Sequence, residues 1–185
     1  MMNDSYMARS SRKDTEKHRQ QVIDGAATLL RERGVDGVNV GALMAEAGLT
    51  HGGFYRHFAS KDELVRLALE KAMADQTDWL AAQSEQGLID FYLSPEHRDD
   101  PGHGCTIGAL GSEVGRAGED ERAAFAEGVR RYIDTFASLS GVEREEALAR
   151  YSTMVGALVI SRATAGDPIS EEVLGAARSA LAHGE

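Results

Sequence analysis

The chain has 185 residues, a length that predicts one compact domain, or one compact domain with a small appendage. Hydrophobic residues make up 42% of it, which excludes wholesale disorder. Its single cysteine excludes an intramolecular disulfide framework. The formal net charge is −10, yet residues 1–70 hold ten Lys and Arg against ten Asp and Glu, so the acidic excess lies entirely after residue 70. The total charge therefore leaves room for a locally basic, nucleic-acid-binding segment near the start of the chain.

Apolar residues recur at helical spacing through the chain, and no stretch alternates in the way that a half-buried strand does. Three prolines and few β-branched residues also favour helices. The spacing predicts a first helix over residues 15–33, which Gly34 ends in a left-handed conformation. The basic side chains near its start are Arg9, Arg12, Lys13, Lys17 and Arg19.

Two short helices are predicted next, the first capped by Asn39 and ended by Gly48, the second capped by Thr50 and running to about residue 58. Ser60 is followed three residues later by Glu63, the spacing of a capping box. It predicts a long helix over residues 61–83.

The later part of the chain is predicted to hold further helices. An apolar helix is expected over residues 88–93, a loop over residues 96–104, and helices from Ile107 to about Leu139. The last two helices are predicted over residues 143–165 and 170–182, separated by Gly166-Asp167-Pro168. The first twenty residues are polar, and the longest apolar run is much shorter than the ~20 residues a membrane span needs, so a cytoplasmic protein is expected.

Residues 40–64, VGALMAEAGLTHGGFYRHFASKDEL, carry the most informative pattern. Two short helices that meet at Gly48-Leu49-Thr50 have the layout of a helix-turn-helix. The second helix is expected to bury Phe54 and Phe58 and to expose small and polar residues that can approach a DNA groove. The alternative is a compact helical hairpin whose polar residues have no partner but water.

At these residues the sequence resembles the TetR/AcrR family of bacterial transcriptional regulators. The shared pattern is Ala45-x-Ala47-Gly48-Leu49-Thr50-x-Gly52-x-Phe54-Tyr55-x-His57-Phe58-x-x-Lys61-x-x-Leu64, and the resemblance covers about residues 15–66. It implies an all-α protein of about nine helices, with a DNA-binding domain over residues 1–60 and a helical ligand-binding and dimerisation domain over residues 61–185.

The resemblance also implies roles for individual residues. Base edges are approached by His51 and Gly52, whereas phosphates are contacted by Asn39, Thr50, Tyr55, His57 and Lys61. Arg56 is added to the phosphate donors because it is a basic residue on the exposed side of the second helix. Gly53 departs from the family pattern, because it places a second glycine next to Gly52. This second glycine costs about 1 kcal/mol of helix propensity. The recognition helix is therefore expected to be poorly formed before DNA binds.

The resemblance places a ligand cavity between the middle helices. Apolar residues at helical spacing are core residues by default, and some are expected to face a ligand. The candidates are Phe91, Cys105, Leu110, Phe125, Val129 and Tyr132.

The last two helices are expected to pair with their copies in a second chain, as a four-helix bundle across a two-fold axis. The residues predicted at this dimer interface are Tyr151, Val155, Leu158, Val159, Arg162, Leu174, Ala177 and Leu181. The alternative is that both helices only pack on their own chain.

A cluster of metal-ligand and nucleophilic side chains lies in the predicted loop, at His97, Asp99, Asp100, His103 and Cys105. Its spacing matches no regular metal motif, which favours a solvated loop and a buried cysteine over a metal site or a reactive thiol. The sequence also lacks a catalytic triad, a phosphate-binding glycine loop and paired catalytic carboxylates. No enzyme activity, metal or cofactor is therefore predicted.

The function predicted from these observations is that of a homodimeric repressor that leaves a palindromic operator when a small molecule binds. Its expected partners are double-stranded DNA, an effector and a second copy of the chain. The alternatives are a metal- or thiol-dependent enzyme or redox sensor centred on residues 97–105, and a helical adaptor that binds protein.

Overall fold

The computed structural model describes the backbone of residues 4–182, together with their side chains except those of residues 4–12 and 51. All regular structure in this part of the chain is helical, as the sequence predicts. The α-helices are α1 (Asp4–Arg33), α2 (Val40–Glu46), α3 (Lys61–Ala81), α4 (Glu85–Tyr92), α5 (Pro95–Asp99), α6 (Thr106–Val114), α7 (Glu119–Ser140), α8 (Arg144–Ala163) and α9 (Pro168–Ala182). The segment His51–Arg56 is a 3₁₀-helix, called here the 3₁₀ segment.

Capping side chains and glycines set the boundaries of the first helices. Gly34 and Gly48 both have φ of 71°, the left-handed conformation that side chains with a Cβ rarely adopt. Asn39 accepts a 3.0 Å hydrogen bond from the backbone N–H of Ala42 and so caps α2. The Gly34 and Asn39 predictions are both confirmed.

The predicted capping box at the start of α3 is also present. The Ser60 hydroxyl accepts a 3.0 Å bond from the backbone N–H of Glu63, and the Glu63 carboxylate accepts from the backbone N–H of Ala59. The reciprocal bond thus reaches one residue further back than in the standard motif.

Three local predictions are wrong. The first helix begins at Asp4 instead of residue 15, and the 3₁₀ segment ends at Arg56 without a hydrogen bond from its N-terminus to the Thr50 side chain. A one-turn helix, α5, replaces part of the predicted loop, because Ser94 caps it by accepting from the His97 N–H while Pro95 occupies the first turn.

The apolar core consists of two clusters that divide within α3. Met73 belongs to the cluster that holds α1, α2 and the 3₁₀ segment, whereas Leu80 belongs to the cluster that holds α4, α8 and α9. Helix α7 crosses α3 at Gly128, where an added Cβ would lie 2.8 Å from the Cβ of Met73. The predicted boundary after residue 60 lies at the start of α3, which contributes to both clusters, as α6 and α7 also do.

The last two helices bury much of the stripe predicted to form the dimer interface. Tyr151, Leu158, Leu174 and Ala177 lie in the core of their own chain, and the interface prediction is corrected at these positions. Arg162 donates to the carbonyls of Arg98, at 3.0 Å, and of His97, at 2.9 Å, and is likewise engaged within the chain. The outward apolar residues of α8 and α9 are instead Leu148, Val159, Ile160 and Ile169, with Val155 and Leu181 partly buried.

No helix in the described residues is long and apolar enough to cross a membrane.

Candidate nucleic-acid interface and effector cavity

The 3₁₀ segment is held on the surface by two aromatic anchors. Phe54 and Phe58 are buried with ring centroids 5.3 Å apart, as the sequence predicts. The Arg19 guanidinium of α1 lies 5.2 Å from the centre of the Phe58 ring and donates a 3.3 Å bond to the His57 carbonyl. A cation–π contact and a hydrogen bond thus fix the end of the 3₁₀ segment against α1.

The outer side of the 3₁₀ segment is open. Tyr55 is 74% exposed, and Thr50 and Arg56 are exposed beside it. A Cβ added at Gly52 would meet nothing within 4 Å, so the backbone here can approach another molecule closely. The side chain of His51 lies outside the described residues.

The predicted phosphate-contacting residues flank this open surface, and their side chains differ in exposure and in hydrogen bonding. Asn39 is exposed but uses its carbonyl oxygen to cap α2, and Lys61 is partly buried at the first position of α3. His57 is partly buried, and its Nδ1 has no hydrogen-bond partner among the described residues. Lys17 is exposed on α1, whereas the side chains of Arg9 and Arg12 lie outside the described residues.

A cavity of about 390 Å³ lies between α1, α3, α4, α5, α7 and the start of α6. Its apolar and aromatic wall is formed by Ala72, Trp79, Phe91, Tyr92 and Tyr132, and its polar wall by Arg31, Asp75, Gln76, His97, His103, Gly104 and Cys105.

Three of the six predicted cavity residues, Phe91, Cys105 and Tyr132, line this cavity. The other three do not. Leu110 is buried in the apolar cluster that holds α1, α2 and the 3₁₀ segment, and Phe125 and Val129 pack against that cluster. For Leu110 the reason is the orientation of α6, which presents its N-terminal end to the cavity and its apolar side to α1 and α3.

Several polar residues of the cavity wall, including Arg31, are not among the cavity residues predicted from the sequence. A signal for it exists, because Arg31 continues the buried positions Ile23 and Ala27 at four-residue spacing along α1. A charged residue on the apolar stripe of a helix is unusual and indicates a partner or a cavity.

Cys105 occupies the N-cap of α6 and is buried. Its sulfur accepts a 3.2 Å hydrogen bond from the backbone N–H of Gly108 and lies 3.1 Å from the Tyr151 hydroxyl. The amide nitrogen of Gln76 lies 3.4 Å from the same sulfur. The thiol therefore has a structural role as a helix cap beside the cavity.

The two histidines of the proposed metal cluster are bound to different parts of the fold. His97 is buried, with Nδ1 2.8 Å from the Tyr92 carbonyl and Nε2 accepting a 3.0 Å bond from the Cys105 N–H. These partners require the neutral ring with its proton on Nδ1, and burial lowers the pKa of His97. His103 is exposed and pairs with Asp100 at 3.1 Å. No group of three or more metal-type ligands occurs among the described residues.

Residues 22–68 match the family described as bacterial regulatory proteins, tetR family. The matched range runs from α1 to α3 and contains α2 and the whole 3₁₀ segment. This segment therefore has the sequence and the helical layout of the DNA-binding part of the TetR/AcrR family.

Named relatives and solved structures agree with this TetR-family assignment. The chain is 32% identical over 77 residues to the HTH-type transcriptional repressor KstR2 of Mycolicibacterium smegmatis, which covers 42% of this chain and 35% of that protein. It is 34% identical over 95 residues to the HTH-type transcriptional regulator AcrR of Shigella flexneri, covering 51% and 40%. The alignments thus span well under half the length of these relatives.

The fold matches over nearly the whole chain. The reduced form of NemR from E. coli superposes with a TM-score of 0.73 and 22% identity, covering 89% of this chain and 95% of that one. Similarity at this level of identity establishes a shared fold, and this shared fold includes both the helix-turn-helix and the helices that follow it.

Two polar contacts connect the TetR-family head to the body. Arg31, in the last turn of α1, donates from Nε to the Gly102 carbonyl in the loop before α6. Glu113, in the last turn of α6, accepts a 2.9 Å bond from the backbone N–H of Val35, just after α1. Hydrogen bonds therefore connect the C-terminal end of α1 with the loop before α6 and with the last turn of α6. Arg31, which makes the first of these bonds, also lines the cavity.

Proposed function

We propose that this chain is a DNA-binding transcriptional repressor that binds a palindromic operator as a homodimer and is released by a small-molecule effector. The observation that carries the proposal is the open surface around Gly52 and Tyr55 within a helix-turn-helix of the TetR family. A 3₁₀ segment with glycines at its second and third positions offers few side chains to base edges. Recognition then relies on phosphate contacts and on DNA shape.

A single head of this size supplies too few base contacts for a specificity ratio of several orders of magnitude, so two heads on two half-sites are required. The outward apolar residues of α8 and α9, Leu148, Val159, Ile160 and Ile169, are proposed as the interface. Pairing these two helices with their copies in a four-helix bundle buries this exposed apolar surface.

The cavity is proposed as the effector site because Arg31 belongs to both the cavity and the helix that supports the DNA-binding head. A ligand that binds better to one arrangement of α1 and α6 shifts the population towards it. In a dimer, even a small rotation of α1 changes the distance between the two heads.

The protein is proposed to act in the cytoplasm, where its DNA is, and to have no catalytic activity. The relatives that it matches are named as transcriptional regulators. Both ring nitrogens of His97 are bound within the fold, which speaks against the enzyme alternative centred on residues 97–105.

The proposal is tested by fluorescence anisotropy with a duplex from the intergenic region upstream of its own coding sequence, because such regulators often control neighbouring genes. The full chain is expected to bind this duplex at least a hundredfold more tightly than a shuffled duplex, with two chains per duplex. Equal affinity for the two duplexes would remove the repressor proposal, and absence of any DNA binding would favour the helical adaptor.

A further inference from the structure

We infer that the cavity binds a small planar aromatic carboxylate that carries an oxygen substituent on its ring. This inference rests on the proposed function, since it names the chemical class of the effector. Three features of the cavity wall carry it: a guanidinium with free terminal NH₂ groups, two exposed aromatic rings and two buried hydroxyls that make no hydrogen bond of normal geometry.

The guanidinium is that of Arg31. Its Nε donates to the Gly102 carbonyl, but among the described residues its two terminal NH₂ groups have no hydrogen-bond partner and no carboxylate forms an ion pair with it. Burial lowers the pKa of Arg31 although Asp75, Asp100 and Glu32 oppose the shift, so its charge is partly desolvated. A planar guanidinium in this state favours an anion that accepts two parallel hydrogen bonds, as a carboxylate does.

The acidic residue of the cavity wall does not reverse this preference. Asp75 is held by the ammonium of Lys71, at 2.5 Å on the same helix. His103 is paired with Asp100. Among the charged side chains of the cavity wall, Arg31 is therefore the one without an ion pair within 4 Å to the described residues, which disfavours a cationic ligand.

The two aromatic rings are those of Trp79 and Phe91. They are 38% and 43% exposed, although most large apolar side chains of this fold are buried, and their centroids lie 5.1 Å apart with an interplanar angle of 50°. Exposed aromatic rings on a concave wall favour a ligand with an apolar ring that covers them. A cavity of about 390 Å³ is at the small end of the range for ligand sites, which suits a single substituted ring.

The two hydroxyls belong to Tyr92 and Tyr132, both fully buried in the cavity wall. Neither makes a hydrogen bond of normal geometry to the described residues. Burial raises the pKa of both phenols, so both stay protonated and able to donate. A buried hydroxyl without a partner is costly, and a hydroxyl or carbonyl oxygen on the ligand ring would accept from it.

The test is isothermal titration calorimetry of the full chain with four probes: 4-hydroxybenzoate, benzoate, 4-hydroxybenzamide and benzyltrimethylammonium. Trp79 is the single tryptophan, so its emission reports binding at this wall directly. We expect saturable binding of 4-hydroxybenzoate, at least tenfold tighter than binding of the neutral amide. Equal affinity for the acid and the amide, or tighter binding of the cation, would overturn the inference.

Variants separate the contributions of the wall. Arg31→Gln is expected to reduce the acid-to-amide preference at least tenfold, towards one, while Arg31→Lys keeps part of it. Tyr92→Phe or Tyr132→Phe is expected to lower the affinity for 4-hydroxybenzoate towards that of benzoate without changing benzoate binding. Should Arg31→Gln fail to fold, the Arg31→Lys and tyrosine variants carry the test.

Operator binding is measured in parallel so that the two proposals fail separately. A chain that binds its operator but none of the probes would contradict this inference and leave the repressor proposal standing. A chain that binds 4-hydroxybenzoate but shows no operator preference would contradict the repressor proposal and leave the ligand inference standing.

Discussion

The carboxylate of Glu113 accepts a 2.9 Å hydrogen bond from the backbone N–H of Val35, across 78 residues of sequence. Gly34 packs against the same carboxylate, since a Cβ at this position would lie only 2.5 Å from its oxygen. The turn that leads from α1 to α2 is thus held by the last turn of α6, whose opposite end begins at Cys105 in the cavity wall. This is a direct mechanical link between the cavity and the DNA-binding head.

Glu113→Ala is expected to destabilise the fold by about 1–3 kcal/mol, because the partly buried Val35 N–H loses a charged acceptor. Urea unfolding measures this loss. Glu113→Gln is the matched control, since its amide oxygen can still accept. Equal stability of the two variants would show that the hydrogen bond does not hold the turn.

The Glu113 variants also test the link itself. If the link transmits the effector signal, Glu113→Ala should bind its operator in the absence of effector but release it less completely when effector is added. Full release in this variant would assign the transmission to another contact, of which the Arg31–Gly102 bond is the first candidate.

Because His97 is buried, we expect the free energy of unfolding to depend on pH below about 6.5. Burial lowers its pKa in the folded state, and protonation of Nε2 would break the bond from the Cys105 N–H. The unfolded chain, with a histidine pKa of about 6.5, therefore takes up the proton first as pH falls. The stabilisation is complete above that value and is lost at up to about 1.4 kcal/mol per pH unit below it, until the folded pKa is reached.

The measurement is urea unfolding of the wild type and His97→Gln between pH 5 and pH 8. The variant keeps one donor and one acceptor but does not titrate, and the other histidines are common to both proteins. The difference in unfolding free energy between them should narrow as pH falls below about 6.5. A constant difference would show that folding does not lower the pKa of His97.

The helical architecture was predictable from the sequence because its signals are local. Gly34, Asn39 and the Ser60–Glu63 pair act within one helical turn, and each appears in the structure as the spacing predicts. The burial of Phe54 and Phe58 likewise follows from the four-residue spacing of an apolar face.

The cavity and the outward faces of the last helices depend instead on how helices pack. The same apolar stripe of α8 contains Leu158, which is buried, and Val159, which is 44% exposed, and helical spacing alone cannot say which side meets the body. Leu110 was misassigned for the same reason, since the direction of α6 decides whether its side or its end meets the cavity.

The adjacent glycines of the 3₁₀ segment provide a matched pair of substitutions. An alanine at either position meets no steric conflict: a Cβ at Gly52 meets nothing within 4 Å, and one at Gly53 would lie 3.5 Å from the Thr50 hydroxyl. Each change should favour helix by up to about 1 kcal/mol. Gly52→Ala is expected to weaken operator binding, because its methyl group occupies the open surface, whereas Gly53→Ala is expected to maintain or improve it. Fluorescence anisotropy decides, and equal losses would move the DNA contact elsewhere.

Operator binding should depend strongly on salt. With about four to six charged phosphate contacts per dimer, the slope of log affinity against log salt is expected to be roughly −4 to −5. Lys61→Ala should weaken binding to all duplexes similarly and make the slope shallower, while His51→Ala should change the preference between duplexes. A flat salt response, or a Lys61→Ala protein with unchanged affinity, would contradict the proposed geometry of the head.

Neighbouring residues of α8 offer a direct test of the proposed dimer interface. Val159 is 44% exposed and Leu158 is fully buried, so a charge at each position has a different expected effect. Val159→Glu should give a folded monomer with normal helicity, because the carboxylate is solvated in the monomer but would be buried across the two-fold axis. Leu158→Glu should destabilise the chain itself, because it places a charge in the core. Sedimentation velocity and circular dichroism separate these outcomes, and operator affinity should fall steeply in the Val159→Glu monomer. If the Val159→Glu protein remains dimeric, the dimer interface lies on another surface. The distance between the two DNA-binding heads is then set by that other surface.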